Sequence, residues 1–467
     1  MAESLIISVS GMRGVIGENL TPVIAAQYGG AFGTFLRDSS GANGRRLKVC
    51  IGRDSRVSGP MLLSAMTAGL CSVGVDVVDL GLVTTPGVGI MLRELGCDGG
   101  IVITASHNPL PYNGIKLLLS NGMAPPLATA ERIKKAFLEG QIRYVDSVQC
   151  GTVSRNDDTD RVHVEKVLAT VDAGQIGRKR RRIVLDSING AGARVAKKLL
   201  AALGCEVIAM NDEPTGLFAH GAEPIAENLV DLCQRVKQEK AELGFAQDPD
   251  ADRLAIVDEH GVYIGEEYTL ALAAKHVFSA GSGTAAANLS TSRMIDDIAH
   301  RAGGRVIRTP VGEAHVANAM TEHGCVIGGE GNGGVIDLRV GPVRDSLVGM
   351  ALVLQLMADV GKTISALVRE IGGYAMHKEK LAADSQQARR IMDLAAQKFP
   401  KAAANPSDGL RLDFTDGWIH LRTSNTEPVM RIIVEAKDEP AAQRYIHAVS
   451  EIRSSVLGRD DGGKGQT

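Results

Sequence analysis

The chain has few cysteines, few aromatic residues and no strong excess of either charge. Its seven cysteines lie singly among 467 residues, and no two of them form a C-x-x-C pair. A disulfide framework or a zinc site is therefore not expected, and the cysteines are interpreted as small apolar residues in a reducing compartment. The formal net charge of −3 provides no basic field for nucleic acid or an anionic membrane.

Long hydrophobic runs are also missing. No stretch approaches the roughly 20 apolar residues that span a bilayer, and the N-terminal MAESLIISVSGMRG lacks the basic and apolar segments of a signal peptide. The expected location is the cytoplasm. The chain is long enough for several cores, and its 54 glycines are consistent with many tight loops where the backbone approaches a ligand.

A pattern of strand, helix and strand occurs three times along the chain. The copies begin with LKVCIGRDSRVSG, RRIVLDSINGAGARVAKKLL and GTAAANLSTSRMIDDIAHR, and each predicted helix stops at a glycine. A third apolar strand then opens into a polar loop, in GIVITASHNP, LGFAQDPDADR and CVIGGEGNGG. Because ligands gather at the carboxyl ends of parallel strands, the three loops are expected to share one cleft.

After about residue 370 the pattern changes to alternating apolar and polar residues. LRLDFTDGWIHLRTSNTEPVMRIIVEA alternates around Asp416-Gly417, a hairpin signal, and an amphipathic segment closes the chain. The sequence thus predicts an α/β fold with three related α/β domains, mixed but largely parallel sheets around a central cleft, and a smaller α+β domain. The predicted bounds are 1–153, 154–258, 259–368 and 369–458, followed by a disordered tail at 459–467.

The loop DPDADR places Asp248, Asp250 and Asp252 at alternating positions of a segment that is predicted to be extended. These carboxylates can converge on one hard cation, for which magnesium is favoured. A calcium loop is an alternative, because Glu259 stands at the twelfth position, but Arg253 replaces the required glycine. A phosphatase with the first aspartate as nucleophile is another. Arg253 beside the carboxylates indicates that a phosphoryl group binds at the same place.

The loop TASHNP presents Ser106 and His107 at the end of a strand, with Lys116 following. Adjacent side chains of an extended segment point to opposite sides, so His107 need not activate Ser106, and no G-x-S-x-G elbow supports an acyl hydrolase. A serine near magnesium suits phosphoryl transfer, with Lys116 neutralising the developing charge. A plain turn is the remaining alternative.

Two further loops offer polar groups for a ligand. RTSNTEP has the composition of an anion-binding loop, although a turn rich in serine and threonine would look similar; its candidates are Arg422, Ser424, Asn425 and Thr426, with Arg431 further along. GGEGNGGVI supplies Glu330 and Asn332, whose oxygens could bind sugar hydroxyls.

Three arginines and one histidine in shorter motifs are additional candidates. Arg13 in SGMRG and Arg53 and Arg56 in GRDSR are interpreted either as surface charges or as ion pairs that close domains. His315 in VGEAHV is kept as a candidate, whereas the other isolated histidines are interpreted as structural.

Taken in order along nearly the whole chain, these four loops resemble those of the α-D-phosphohexomutase superfamily. Its members carry T-A-S-H-N-P, D-x-D-x-D-R, G-E and R-x-S-N-T-x-P motifs, and the forms GGEGNGG, VGEAHV and SVSGMRGVIG are most similar to the archaeal-type phosphoglucosamine mutase branch. The resemblance implies that hexose 6-phosphate and 1-phosphate interconvert through a phosphoserine enzyme and a bisphosphosugar, which also serves as activator.

The resemblance also implies a role for each candidate. Ser106 would carry the phosphoryl group, and its phosphate would hold magnesium together with Asp248, Asp250 and Asp252. The transferring group would be surrounded by Arg13, His107, Lys116 and Arg253. Glu330, Asn332 and His315 would bind the sugar. The phosphate that is not transferred would be bound by Arg422, Ser424, Asn425, Thr426 and Arg431.

One position departs from the family pattern. Many members have S-G-H in the sugar-binding loop, where the histidine can assist proton transfer, but here the stretch is Asn332-Gly333-Gly334. Proton transfer would then fall to Lys116 or His107. The favoured substrate is glucosamine phosphate, with mannose or glucose phosphates as alternatives and a phosphatase or a non-catalytic sugar-phosphate binding protein as more distant ones. The chain is expected to be a monomer or homodimer.

Overall fold

The computed structural model describes residues 5–8, 11–40, 45–423 and 429–457. Within these residues four β-sheets follow one another along the chain. Each sheet with its helices forms a domain, and the domains are called I to IV in chain order. The predicted fold class, three related α/β domains and a smaller fourth, is confirmed.

Domain I is a seven-stranded sheet with four helices. Its strands are β1 (Ile6–Ser8), β2 (Gly11–Val15), β3 (Lys48–Arg53), β4 (Asp76–Leu82), β5 (Gly99–Ile103), β6 (Tyr112–Leu119) and β7 (Val153–Arg155). Its helices are α1 (Pro22–Ser39), α2 (Gly59–Ser72), α3 (Thr85–Glu94) and α4 (Leu127–Leu138). The strand order is β1-β2-β6-β5-β3-β4-β7. All residues of the central strand β5 are buried, which accounts for its continuous apolar sequence.

Domains II and III each contain a four-stranded sheet. Domain II comprises α5 (Thr159–Leu168), α6 (Ala173–Gly177), β8 (Arg182–Asp186), α7 (Ala193–Ala202), β9 (Glu206–Met210), α8 (Val230–Glu239), β10 (Leu243–Gln247) and β11 (Leu254–Val257). Domain III comprises α9 (Glu267–Ser279), β12 (Thr284–Asn288), α10 (Met294–Arg301), β13 (Arg305–Thr309), α11 (Glu313–His323), β14 (Ile327–Glu330), β15 (Gly334–Ile336), α12 (Ser346–Val360) and α13 (Ile364–Ile371).

The three domains place their functional loops in the same way. In each sheet the central strands are parallel, and the last parallel strand then pairs with an antiparallel neighbour: β5 with β6, β10 with β11, and β14 with β15. The polar loops predicted from the sequence are the connections of these three pairs. The sheets are therefore mixed, and each loop leaves the carboxyl end of a parallel strand.

Domain IV is antiparallel throughout. It comprises β16 (Ala375–Ala382), α14 (Ser385–Lys398), β17 (Ala403–Asn405), β18 (Leu410–Asp413), β19 (Gly417–Thr423), β20 (Val429–Ala436) and α15 (Glu439–Leu457). The sheet order is β16-β20-β19-β18-β17. The predicted hairpin around Asp416-Gly417 is the β18–β19 pair, and the amphipathic segment is α15.

One apolar core runs through domains I, II and III. It includes fully buried residues of α3, α5, α7, α9 and α12, such as Val88, Val167, Leu199, Leu272 and Leu352. Domain IV has a separate core between its sheet and α14 and α15. The first three loops are therefore held by shared apolar packing, whereas domain IV joins domain III through polar contacts, such as Arg293 Nη2 donating to the Gly417 carbonyl oxygen at 3.0 Å.

Helix α12 is the buried helix of that core. Its residues from Ser346 to Met357 are all buried, in contact with α5, α6 and α9. Among the described residues, no single helix is long and apolar enough to cross a membrane; α12 and α13 reach the required length and composition only together, across an 88° bend.

Candidate active site

Ser106 follows β5 at the start of the turn that leads to β6. Its φ of +49° lies in the left-handed region, which is unusual for a residue other than glycine, and its N–H donates to Thr104 Oγ1 at 2.8 Å. In this conformation Ser106 Oγ lies 3.3 Å from His107 Nδ1 and 3.2 Å from Asp248 Oδ2. The expectation that Ser106 and His107 point to opposite sides is therefore wrong, because the segment turns instead of extending.

Arg56 holds this turn from within domain I. Its side chain is 1% exposed, and all five of its N–H groups are used. Nε donates to Asp54, and the other four donate to backbone carbonyl oxygens of Ser106, Asn108, Pro109 and Tyr112 at 2.7 to 3.0 Å. Neither predicted role for Arg56, a surface charge or an ion pair between domains, is correct, because its side chain is buried and its hydrogen-bond partners are carbonyl oxygens of the turn and a carboxylate of the same domain.

Three buried carboxylates lie directly after β10. Asp248, Asp250 and Asp252 are at most 1% exposed, and one oxygen of each lies within 4.8 Å of the others. They converge because residues 248–252 form a turn in which Ala251 has a φ of +57°, not because they alternate on an extended segment. The Oδ1 atoms of Asp250 and Asp252 are buried without a hydrogen-bond partner among the described residues. Such oxygens fit a hard cation.

The calcium-loop alternative is not supported by the structure. Glu259, which would be the twelfth ligand, accepts hydrogen bonds from the N–H and the hydroxyl of Ser365 at 3.2 and 2.6 Å. Its carboxylate is thus bound to the first turn of α13 and does not belong to the carboxylate triad.

Cations and a hydroxyl from domains I and III contact the triad. Lys116 Nζ lies 2.8 Å from Asp250 and 3.7 Å from Asp252, and Thr85 Oγ1 donates to Asp250 at 2.6 Å. Arg344 Nη2 donates to Asp252 at 2.6 Å. The sequence analysis did not identify Thr85 or Arg344. Neither stands in a recognisable motif, and both reach the site only because three domains meet there.

These neighbours shift the pKa values of the triad in different directions. Burial, and then the charges of Asp252 and Asp250, raise the pKa of Asp248 well above its ordinary value. Burial also acts to raise the pKa of Asp252, but Arg344 and Lys116 outweigh it and lower that pKa. Burial acts to lower the pKa of Lys116, and the carboxylates of Asp250 and Asp252 outweigh it and raise it. Lys116 therefore carries its proton at neutral pH.

Three predicted residues lie in or beside the turn that contains the serine. Arg253 Nη2 donates to His107 Nδ1 at 3.1 Å while Nη1 pairs with Glu223 at 3.0 Å, and Arg13 Nη1 donates to Asn108 Oδ1 at 2.9 Å. Burial, and then the charges of Arg253 and Arg13, lower the pKa of His107 to about 2. The imidazole is thus neutral, and two guanidinium groups lie near it, an arrangement that suits a phosphoryl group.

Residues 330–334, the connection of β14 and β15 with one residue of each strand, contain the candidates for sugar binding and are called the sugar loop. Glu330 is 3% exposed, and its carboxylate accepts from Asn288 Nδ2 at 2.7 Å, from the Gly312 N–H at 3.1 Å, and from Arg344. Asn332 Oδ1 accepts from the Gly334 N–H at 3.3 Å. His315 is exposed on the first turn of α11, and the contacts that join Glu330 to the triad do not include it.

The predicted anion-binding loop is described only in part. Arg422 ends β19 beside its cross-strand partner Arg431, whose side chain is exposed. Arg422 Nε donates to Asp408 Oδ2 at 3.0 Å, and the same oxygen accepts from the Val311 N–H of domain III at 2.9 Å. Asp408 thus connects Arg422 to the segment that precedes α11. Ser424, Asn425 and Thr426 lie outside the described residues.

The chain matches all four domain descriptions of one family. These are the α/β/α domains I, II and III of phosphoglucomutase/phosphomannomutase, at residues 5–143, 161–261 and 266–373, and the C-terminal domain of the same proteins, at residues 382–452. The chain therefore belongs to the phosphoglucomutase/phosphomannomutase family, within the α-D-phosphohexomutase superfamily. It is a phosphohexomutase, an isomerase that transfers a phosphoryl group within a hexose phosphate.

Similar proteins cover nearly the whole chain. A phosphoglucomutase/phosphomannomutase of Thermococcus kodakarensis is 39% identical over 96% of this chain and 98% of its own length. A probable phosphoglucosamine mutase of Methanopyrus kandleri is 38% identical over 93% and 94% of the two chains. The crystal structure of a phosphoglucomutase/phosphomannomutase family protein from Burkholderia thailandensis superposes with a TM-score of 0.85, at 29% identity, over 97% of this chain and 98% of that one.

We expect Arg56→Lys to reduce turnover by about 100-fold, because a displacement of the Ser106 turn by about 1 Å has an effect of that size. A lysine keeps the charge but cannot bind four carbonyl oxygens and a carboxylate together. Steady-state kinetics test this. Arg53→Lys is the matched control from the same motif, since Arg53 Nη1 contacts only the Asp54 carbonyl oxygen among the hydrogen bonds described; equal activity of both variants would contradict the role of Arg56.

We expect His107 to remain neutral down to about pH 5, whereas an exposed histidine titrates near 6.5. Its folded pKa is depressed, so the unfolded state binds the extra proton below about pH 6.5, and the contribution of His107 to stability decreases there as the pH falls. Proton–carbon NMR of the imidazoles, assigned with His107→Gln, measures the titration. His220 is an internal reference of opposite sign: burial acts to lower its pKa, and Asp186 outweighs it and raises it. A midpoint near 6.5 for His107 would refute the assignment.

Proposed function

We propose that the enzyme interconverts glucosamine 6-phosphate and glucosamine 1-phosphate through a phosphoserine at Ser106. The observation that carries the proposal is the position of Ser106 Oγ, 3.2 Å from Asp248 in a buried group of three carboxylates. A hydroxyl beside a carboxylate group that fits a hard cation suits a phosphoryl carrier. In the proposed cycle phosphoserine gives its phosphoryl group to the sugar, the bisphosphosugar reorients, and its other phosphate returns to Ser106.

Magnesium is the proposed metal, held by Asp248, Asp250, Asp252 and the Ser106 phosphate. The unpartnered Oδ1 atoms of Asp250 and Asp252 support this, because oxygen atoms of carboxylates and phosphates are the ligands that magnesium prefers. When bound, the ion would neutralise charge on the transferring phosphoryl group. A bisphosphosugar is the proposed activator, since it would phosphorylate Ser106 in enzyme that had lost its phosphate.

Lys116 is protonated and His107 is neutral, so the two side chains can contribute different chemistry to the reaction. The ammonium of Lys116 is charged and can donate a proton or stabilise a negative oxygen, whereas the neutral imidazole of His107 has no proton to give from Nδ1, which accepts from Arg253. Two groups whose pKa values are moved apart by their surroundings are a recurrent arrangement for acid and base catalysis. We propose that Lys116 acts on the charged phosphoryl oxygens and that Arg13 and Arg253 bind them.

Recognition of the substrate is assigned to domains III and IV. Glu330, with Asn332 and His315, would accept hydrogen bonds from the sugar hydroxyls or from the amine. The phosphate that is not transferred would be bound by Arg422, Ser424, Asn425, Thr426 and Arg431. The cross-strand pairing of Arg422 and Arg431 on β19 and β20 supports this, because two arginines at directly opposite positions can bind one dianion.

The sugar is proposed from the relatives, and a second candidate follows from them too. Several archaeal relatives named as probable phosphoglucosamine mutases are 34 to 38% identical to the chain. The Thermococcus kodakarensis relative at 39% is named phosphoglucomutase/phosphomannomutase. Conversion of glucose or mannose phosphates is therefore the alternative.

One panel of substrates decides between the two sugars. Isomerisation of glucosamine, N-acetylglucosamine, mannose and glucose phosphates would be measured on one preparation with magnesium and a trace of the bisphosphosugar. We expect the highest kcat/KM for glucosamine phosphate; comparable or higher values for mannose and glucose phosphates would establish the alternative.

Ser106→Ala is expected to fold and to have no mutase activity, and wild-type turnover in that variant would disprove the phosphoserine mechanism.

We expect Asp250→Asn to raise the magnesium concentration for half-maximal activity by at least about tenfold, because metal affinity depends on the charge of the ligands. Manganese binding in the absence of substrate, followed by electron paramagnetic resonance, measures the same site without turnover. Asp258→Asn is the matched control: Asp258 follows the next strand and accepts from the Val262 and His260 N–H groups, as an asparagine can too. Unchanged metal affinity in Asp250→Asn would exclude this metal site.

A further inference from the structure

Gly334 of the sugar loop has no room for a side chain, and the residue that fills the space is Arg344. A Cβ built on Gly334 would lie 2.8 Å from Arg344 Cγ and closer still to Cδ, where real Cβ atoms do not occur. The φ of Gly334 is not in the left-handed region, so the backbone itself would accept another residue. Glycine is required at this position chiefly because the stem of Arg344 passes over it, and Asn332 Oδ1 would also be close to a Cβ, at 3.1 Å.

The stem of Arg344 cannot move aside easily, because both of its ends are bound. Its N–H donates to Glu313 Oε2 at 2.9 Å, and Asp345, the next residue, caps α12 and pairs with the buried His163 at 2.6 Å. At the other end the guanidinium contacts three carboxylates: Asp252 of the triad, Glu330 of the sugar loop and Glu313 at the start of α11. Its side chain is 11% exposed.

Arg344 therefore joins the metal-binding and sugar-binding parts of the site. Asp252 belongs to domain II and Glu330 to domain III, and the planar guanidinium fixes the two carboxylates relative to each other through separate N–H groups. Arginine does not lose its proton in proteins, so Arg344 cannot replace a proton-transferring histidine at position 334. At this place Arg344 can only pair with carboxylates and fix their positions.

We propose that Arg344 is a positioning residue of the phosphohexomutase reaction and that Gly334 is its necessary counterpart. The stem of Arg344 occupies the space that a side chain at position 334 would take, and its guanidinium holds Glu330 at a set distance from Asp252. The sugar bound at Glu330 is thereby placed relative to the phosphoryl group at Ser106. The proposal rests on phosphoryl transfer at Ser106 but not on which hexose is the substrate.

The test is a double-mutant cycle with Gly334→Ala, Arg344→Ala and the two combined. Each single variant is expected to lower kcat/KM by at least about tenfold, because a buried ion pair is broken or displaced. In the Arg344→Ala background, however, Gly334→Ala should have a much smaller effect, since only Asn332 Oδ1, at 3.1 Å, then stays close to the methyl group. An equal effect of Gly334→Ala in both backgrounds would overturn the shared-space inference.

Two further measurements distinguish positioning from a merely structural role. Loss of positioning should raise KM for the phosphosugar and the magnesium requirement together, whereas a structural defect would lower the melting temperature and turnover with KM unchanged. Arg344→Lys, which keeps the charge but lacks the planar guanidinium with its separate N–H groups, is expected to fold and to show the same rise in KM. Wild-type KM in Arg344→Lys would contradict the positioning role.

The controls separate this inference from the choice of sugar. Arg339→Ala changes an exposed arginine of the preceding turn that pairs only with Asp337 among the ion pairs described, and it should leave the KM for the phosphosugar and the magnesium requirement unchanged. Each variant is compared with wild type on glucosamine 6-phosphate and on glucose 6-phosphate separately. The ratio of variant to wild-type kcat/KM can then be interpreted whichever of the two sugars is the substrate. Calorimetric binding of both phosphosugars gives the same comparison without turnover; unchanged affinity in Arg344→Ala would overturn the proposal.

Discussion

The need to balance three buried carboxylates organises this molecule. Asp248, Asp250 and Asp252 lie on one turn of domain II, and an uncompensated buried charge costs several kcal/mol. Two of the compensating cations come from other domains, Lys116 from domain I and Arg344 from domain III. These two cations therefore reach the carboxylates only because the three domains meet at this place.

Apolar packing and polar contacts have separate tasks in the fold. The core shared by domains I, II and III holds the three functional loops together, since separation of these domains would expose fully buried apolar side chains. Domain IV is held by groups such as Asp408, His420 and Arg293, whose hydrogen bonds can be exchanged for water at a small net cost. The residues proposed to bind the phosphate that is not transferred thus belong to the domain that has a core of its own.

The sequence predicted residue types well and local conformations poorly. The loops with Ser106, the three aspartates and Glu330 were recognised because their polar residues are close together in the sequence and form short motifs. The conformations of the first two were misjudged, because both were expected to be extended and both contain a residue with positive φ. A single left-handed residue redirects the chain, and in Ser106 and Ala251 its cost is borne by the surrounding hydrogen bonds, which no residue pattern reveals.

What the sequence by itself determined is the order of domains, the chemistry of each loop and the family to which they belong. What only the tertiary structure decided is how these loops are held. Arg56 was predicted as a surface charge or a domain-closing pair, yet its partners are mostly carbonyl oxygens, which every residue has and which therefore leave no trace in a sequence. Thr85 and Arg344 belong to the site because residues more than 90 positions apart become neighbours, and such proximity is a property of packing alone.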